Sequence, residues 1–345
     1  MSQLAKYAYA NAKIRAMLSR LLDERFFDSL LAARTIEDAA VLLKNSPYAS
    51  VFEAARKDGF DIHGIEEGLT RFDEDVFLRV AGVLLPSEKY FVSLLLEKYE
   101  IEALKLALRL WYRKAKVDPA EYLPARQIVH PIDYRRILAA KTIEELIVLL
   151  SETPYFKPLA RGRDKFKEKD SLFYLEVSLD IDYYGRIIQA VSRFSPSDRN
   201  VALKILGIEI DIENINWLIR LRKYYNVALS DMLEWIIPGG ARVDKDLVRG
   251  AYTPDGLGTI IEHVARGPYA AVRDVTEQNI SLIENFLYQA LLREVRRALS
   301  GFPFSIGTVL GYLTLKRRET RNVISILNAA RLGWKKDETA ALLNL

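Results

Sequence analysis

Few groups in this chain could act on a substrate or hold a metal. Imidazole is limited to His63, His130 and His263, each isolated in sequence, and cysteine is absent. A thiolate nucleophile, a zinc–thiolate centre, an iron–sulfur cluster and a disulfide framework are therefore excluded. His63 reads as a loop residue among glycines, His130 precedes Pro131, and His263 follows Glu262 in a helical pattern. Surface or capping places suit all three better than catalysis. Acids gather at Asp73-Glu74-Asp75 and at Asp180 and Asp182 beside Tyr183-Tyr184. Paired carboxylates can share a proton or hold a cation, but the first group reads as a solvated helix surface and the second as loop or cap residues. The chain has no phosphate-loop pattern G-x-x-x-x-G-K-[ST], no H-E-x-x-H and no G-x-S-x-G. Gly256-Leu257-Gly258 lacks the third glycine and the preceding strand of a dinucleotide fingerprint. We expect no catalytic, cofactor-binding or metal-binding residue and no directly bound nucleotide.

Charge is distributed unevenly. Residues 291–345 hold ten basic side chains against four acidic ones, a local excess of about +6 in a chain whose formal total is +4. Arg317, Arg318 and Arg321 lie in that segment and suit a negatively charged partner. Nucleic acid is disfavoured because no aromatic-interleaved basic stripe accompanies the charge. Glu213-Asn214 and Arg321-Asn322 stand at corresponding places near the start of two helical patterns, and Arg220 and Arg222 flank the apolar Trp217, Leu218 and Leu221. Repeated around an axis, such polar groups would line a cavity.

The elements that would position these groups are helices. With 345 residues, half of them hydrophobic and 28% charged, the composition is that of a soluble globular protein of two or three domains. Leu31-Ala32-Ala33-Arg34-Thr35-Ile36-Glu37 recurs as Leu138-Ala139-Ala140-Lys141-Thr142-Ile143-Glu144, and Ser46-Pro47-Tyr48 recurs as Thr153-Pro154-Tyr155. A weaker third copy runs from Gly250-Ala251-Tyr252-Thr253-Pro254 to Gly267-Pro268-Tyr269. Thr35 and Thr142 should cap helices, with Asp38 and Glu145 completing capping boxes, and Thr253 with Pro254 should start the third. Ile36, Ala39, Ala40 and Leu43 form the buried stripe of a short helix. Pro86, Pro196 and Pro303 then interrupt helical patterns, and Glu102-Ala103-Leu104, Glu213-Asn214-Ile215 and Arg321-Asn322-Val323 should begin long apolar-periodic helices. Gly307 and Gly311 permit close helix–helix approach.

Phe173 to Asp182 alternates apolar and polar residues, the period of a strand or an extended connection. The window 298–315 is uncharged but broken by Gly301, Pro303, Gly307 and Gly311, so it reads as a turn and a buried helix instead of a membrane span. The start of the chain enters an amphipathic pattern directly, which together with the missing cysteines favours a cytoplasmic protein. The fold class is all-α, with three similar helical domains at 1–115, 116–225 and 226–345.

The order of these features resembles the C subunit of the archaeal and bacterial A/V-type rotary ATPases, whose eukaryotic relative is the d subunit of the vacuolar enzyme. The resemblance spans the chain. It rests on Tyr7, Tyr9, Asn11, Lys13, Arg15 and Met17 at alternate positions, on the Thr35-Ile36-Glu37 to Pro47-Tyr48 unit, and on Asp182-Tyr183-Tyr184. It rests also on Glu213-Asn214-Ile215 with Leu221-Arg222-Lys223-Tyr224-Tyr225, and on Pro303-Phe304-Ser305-Ile306-Gly307 with Glu319-Thr320-Arg321-Asn322. Ala103 departs from the asparagine of the other two copies. The resemblance implies a pseudo-threefold hollow cone on the cytoplasmic face of the membrane, a peripheral and non-catalytic part. It would join the membrane rotor ring to the central-stalk subunits of D and F type, so that ion translocation is linked to ATP synthesis or hydrolysis. Glu213, Asn214, Arg220, Arg222, Arg317, Arg318, Arg321 and Asn322 are the candidate contact or cavity residues. Charge reversal at the three arginines should weaken assembly and leave thermal unfolding nearly unchanged. A helical-repeat adaptor for soluble protein partners is the alternative.

Overall fold

The computed structural model describes residues 2–57, 59–119, 122–124, 126–222, 228–252, 256–276, 282–340 and 343. Among them the chain is helical without a strand. The helices are α1 (Gln3–Leu18), α2 (Glu24–Leu30), α3 (Ile36–Leu43), α4 (Ala49–Lys57), α5 (Ile62–Ala81) and α6 (Pro86–Tyr112). Then follow α7 (Tyr134–Ala139), α8 (Ile143–Val148), α9 (Phe156–Lys169), α10 (Phe173–Ser192) and α11 (Pro196–Arg220). The last are α12 (Leu229–Trp235), α13 (Lys245–Ala251), α14 (Leu257–Val264), a 3-10 stretch Gly267–Asp274, α15 (Ile283–Ser300), α16 (Ile306–Arg331) and α17 (Lys336–Ala340).

Local chemistry sets the helix ends. Thr35 and Asp38 form a complete capping box. Thr142 also caps its helix, but Glu145 accepts from the N–H of Lys141 (2.8 Å) instead of from the cap residue itself, so that box is only half made. Thr253 and Pro254 lie outside the described residues, and the third short helix starts after Gly256, whose φ of +99° suits glycine. All three short helices end before Pro47, Pro154 and Pro268. Pro86 and Pro196 occupy the first turn of α6 and α11, where a missing N–H costs nothing. The triplets at 102, 213 and 321 therefore lie deep inside long helices that began a dozen or more residues earlier. The alternating stretch at 173–182 is the first half of α10. Its strand-like period arises because that half is enclosed all round: Phe173 to Asp180 are all buried, and the polar members find partners inside. Glu176 accepts two bonds from Arg109 (2.6 and 2.8 Å), and the Ser178 hydroxyl donates to the carbonyl of Tyr174 (2.5 Å).

Six long helices close a ring. α5 packs on α6, α6 on α10, α10 on α11, α11 on α15, α15 on α16, and α16 returns to α5, while α11 also packs directly on α16. A Cβ at Gly307 would come within 2.7 Å of Val201, and one at Gly311 within 3.0 Å of Leu299, so both glycines are needed where α16 meets α11 and α15. Among the described residues the buried apolar side chains form two hydrophobic cores. The smaller joins Phe27, Leu43, Phe52 and Leu69 to Val323, Ile326 and Leu327, tying the first short helices to the end of α16.

Polar clasps reinforce the ring where a long helix meets the short helices that follow it around the ring. Tyr155 donates to Glu100 (2.7 Å), Tyr269 to Asp211 (2.6 Å) and Tyr48 to Glu319 (2.9 Å). Each acid also accepts backbone N–H groups: Val129 and His130 for Glu100 (2.9 and 2.8 Å), Arg242 and Val243 for Asp211 (both 2.9 Å), and Leu22 for Glu319 (2.5 Å). All three acids are buried, and a buried carboxylate needs such a set of donors. Gly240 is part of one clasp, since a Cβ there would press to 2.3 Å from Asp211. The third clasp joins the first and last parts of the chain and holds the buried Lys316, whose ammonium contacts Glu319 and Tyr48 (both 2.7 Å).

Candidate functional site

Charged side chains from five of the six ring helices, α6, α10, α11, α15 and α16, converge on one place. Lys98 of α6 reaches Glu213 of α11 (3.1 Å), Glu102 (3.2 Å) and Asp180 of α10 (3.6 Å). Lys105, one turn beyond Glu102, pairs with Asp180 (2.6 Å) and Glu102 (3.4 Å). Arg321 of α16 donates to Tyr288 of the neighbouring α15 (2.5 Å) and lies 3.9 Å from Glu284. The Lys98 ammonium also sits over the rings of Tyr183 and Tyr184 (5.6 and 5.5 Å).

The charged cluster is buried on one side and open to water on the other. Crowding by protein is the largest influence on Glu102, yet half of its side chain (51%) is accessible, and Arg321 is 49% accessible. Both side chains therefore keep contact with solvent while protein crowds their other sides. Desolvation would raise the Glu102 carboxyl, but Lys98 and Lys105 outweigh it and hold its pKa at about 2. Burial disfavours the Lys98 ammonium, and Glu213, Tyr184, Asp180 and Glu102 together reverse that and keep it charged. Burial also works against the charge of Lys105, and Asp180 chiefly restores it. Glu209 faces the same region, and burial raises its pKa against the pull of Arg317 and Lys98.

The wall has an order. One helical turn apart, α6 carries Lys98 and Glu102, α11 carries Glu209 and Glu213, and α16 carries Arg317 and Arg321. These pairs occupy corresponding places, with the same offsets of about 111 and 108 residues that separate Glu100, Asp211 and Glu319. One helix is mixed, one doubly negative and one doubly positive, so the three pairs sum to neutrality.

The eight candidate residues divide accordingly. Glu213, Arg317 and Arg321 meet at this wall. Arg317 is packed more tightly than a surface arginine: it donates to the carbonyl of Leu95 (3.2 Å) and lies over the rings of Phe77 and Tyr99 (5.3 and 5.5 Å). Reversing its charge would therefore disturb the fold, contrary to the expectation of unchanged unfolding. Arg318 points elsewhere, and burial and nearby Arg296 push its pKa down to about 10. Asn214 is buried and exchanges two hydrogen bonds with the backbone of Ile237 (2.8 and 2.9 Å), a structural latch. Asn322 is likewise buried. Arg220 and Arg222 lie over Trp217 and Tyr252. Lys223, Tyr224 and Tyr225 are outside the described residues.

Of these acidic groups, Asp73, Glu74 and Asp180 are buried, whereas Asp75 is exposed and Asp182 is half-buried beside Arg186. Asp73 is buried and accepts from Tyr99 (3.0 Å) and Thr320 (2.6 Å), and desolvation raises its pKa to about 6. Glu74 is buried against Arg126, and only Asp75 is exposed in that triplet. Asp180 is fully buried within α10. His63 lies in the first turn of α5 instead of a loop. His130 places its Nδ1 2.7 Å from Glu100 and belongs to a clasp, while His263 turns its Nδ1 to the carbonyl of Thr259 (2.8 Å).

Comparison with known proteins agrees with this architecture. The family model described as ATP synthase (C/AC39) subunit matches residues 10–342. The chain is 24% identical over 338 residues to the C subunit of the A-type ATP synthase of Pyrococcus abyssi, covering 96% of this chain and 88% of that protein. It is 27% identical over 331 residues to the same subunit of Thermococcus onnurineus, covering 93% and 85%. With that of Methanocaldococcus jannaschii the identity is 23% over 359 residues, covering 99% and 86%. A match that runs through both the helical ring and the charged wall leaves one assignment: the chain belongs to the ATP synthase (C/AC39) subunit family.

Proposed function

We propose that this chain is the non-catalytic coupling piece between a membrane rotor ring and the central stalk of an A-type rotary ATP synthase, and that the charged wall receives the foot of the stalk. Its relatives are C subunits of A-type ATP synthases, each one part of a larger assembly. The observation that carries the reading is the closed ring of six long helices with wetted, mutually balanced charges on one wall. The three segments 1–115, 116–225 and 226–345 are proposed as three versions of one domain around a hollow axis. The recurring Tyr–carboxylate clasps and charge pairs support that division. Torque transfer requires a stiff body and a socket that grips without hydrophobic fusion. Charged walls meet this requirement, because their contacts are reversible and orientation-specific.

Arg321 tests the socket because it is half exposed and bonds only side chains of α15 among the described residues. Arg321→Gln should weaken binding to purified central-stalk subunits by at least tenfold in a titration calorimeter, with thermal unfolding close to that of wild type. Equal affinity for the two proteins would remove the stalk from this wall.

A further inference from the structure

Between α9, α10 and the loop that joins α12 to α13 lies a cavity of about 520 Å³. That is the size of a small-molecule site. Ile181 of α10 gives it an apolar lining, together with Trp235, Ile236, Pro238 and Val243 at and beyond the end of α12. The loop is fixed from behind, so the cavity exists before anything enters it. Asn214 exchanges two hydrogen bonds with the backbone of Ile237 (2.8 and 2.9 Å). Asp211 holds the N–H groups of Arg242 and Val243 (both 2.9 Å). Gly239 turns the chain between these two latches at a φ of +94°. On the other side a Cβ at Gly162 would collide with the carbonyl of Tyr174, so α9 lies in backbone contact with α10.

Most polar groups of the rim are already committed. Lys165 is engaged by Glu168 (3.6 Å) and Asp231 (3.8 Å). The Asp244 carboxylate caps α13, accepting from the N–H groups of Asp246 and Leu247 (3.0 and 2.9 Å). Glu234 and Lys245 stand exposed with opposite charges. Arg161 is different. It has no ion-pair partner among the described residues, and its guanidinium is held at the cavity by the Trp235 ring beneath it (5.4 Å). Trp235 itself is 4% exposed, and its indole N–H finds no acceptor. A buried indole ordinarily has one.

We infer that this cavity binds a small amphiphilic carboxylate, with its apolar body against Ile181, Ile236 and Pro238 and its anionic head at Arg161 and the Trp235 indole. A guanidinium and a carboxylate match as two parallel hydrogen bonds. A neutral apolar molecule would leave the guanidinium without a counter-ion. A polyanion would meet the carboxylates of Glu234 and Asp244 at the rim. One negative charge on an apolar body is therefore the complement of this lining. No residue of the charged wall takes part, so the inference does not depend on the stalk reading.

Octanoate, with octanol as its neutral counterpart, tests it on the full chain by titration calorimetry. Octanoate should bind saturably, one molecule per chain and below its micelle-forming concentration, about tenfold more tightly than octanol. Arg161→Gln should weaken octanoate about tenfold and leave octanol unchanged. The Arg161 side chain is exposed, so thermal unfolding of this variant should match wild type and serves as the folding control. Arg161→Lys keeps the charge without the planar fork and should recover part of the loss. In a nitrogen-15 spectrum the indole N–H signal of Trp235, assigned through Trp235→Phe, should move as octanoate is added. Uptake without saturation, equal affinity for octanol, undiminished binding by Arg161→Gln, or an unmoved indole signal would overturn the inference.

Discussion

Glu100→Ala is expected to destabilise the protein by about 4 kcal/mol, because it leaves several buried donors without an acceptor. The Glu100 carboxylate takes the Tyr155 hydroxyl, the N–H groups of Val129 and His130, and the His130 ring (2.7–2.9 Å), and the side chain is 1% exposed. Tyr155→Phe removes one donor from a carboxylate that keeps the rest, and should cost only about 1 kcal/mol. Chemical denaturation of the two variants gives the comparison. The pH dependence has a definite sign. Burial raises the Glu100 carboxyl, but the His130 side chain, the two backbone N–H groups and Tyr155 more than reverse this and hold it below its ordinary value. A carboxylate with a lowered folded pKa contributes its stability above the unfolded value, near about 4.3, and loses it as pH falls through the folded one. The penalty of Glu100→Ala should therefore be constant from about pH 6 to 8 and shrink below roughly pH 4. A loss under about 1 kcal/mol at pH 7 would mean that the clasp does not hold α6 to the helices beyond it.

The second large effect concerns Asp180, the innermost acid of the charged wall. Asp180→Leu strands the ammonium of Lys105, which is 4% exposed, and should cost about 3–5 kcal/mol. Removing both charges, Asp180→Leu with Lys105→Met, should recover most of that loss, since a well-packed apolar pair replaces a buried ion pair at little net change. If the double variant is as unstable as the single one, the pair is not acting as a unit and Glu102 must hold Lys105 unaided.

Helices with a local start or stop were legible in the sequence. Proline at 86 and 196, threonine at 35 and 142, and the breaks before Pro47, Pro154 and Pro268 all act within one or two turns, and the ends lie where that chemistry puts them. The first half of α10 was not legible, because a helix enclosed on every side has no amphipathic period and the acids at 176 and 180 are matched by Arg109 and Lys105 from another helix. The same reason hid Asp73 and Glu74. The triplets at 102, 213 and 321 were expected to begin helices and instead lie well inside α6, α11 and α16, although they do recur at equivalent places on them. Their neighbours were missed: the acid two residues before each triplet closes a clasp, and the charged residue four before it faces the wall. Both recur at the same offsets, so the signal was present in the spacing. Only the partners, Tyr48, Tyr155 and Tyr269 among them, explain what the recurrence is for.

The central claim is that the wetted wall of the ring takes the end of the stalk. The absence of cysteine from the chain permits a direct measurement: Glu102→Cys carries a single thiol at a half-exposed place on the wall. In the isolated protein this thiol should react with a maleimide at a rate close to that of an exposed control such as Ser300→Cys. After assembly with the central-stalk subunits its reaction should slow at least tenfold while the control is unaffected. An unreactive thiol in the free chain, or an unchanged rate in the assembled one, would contradict the account.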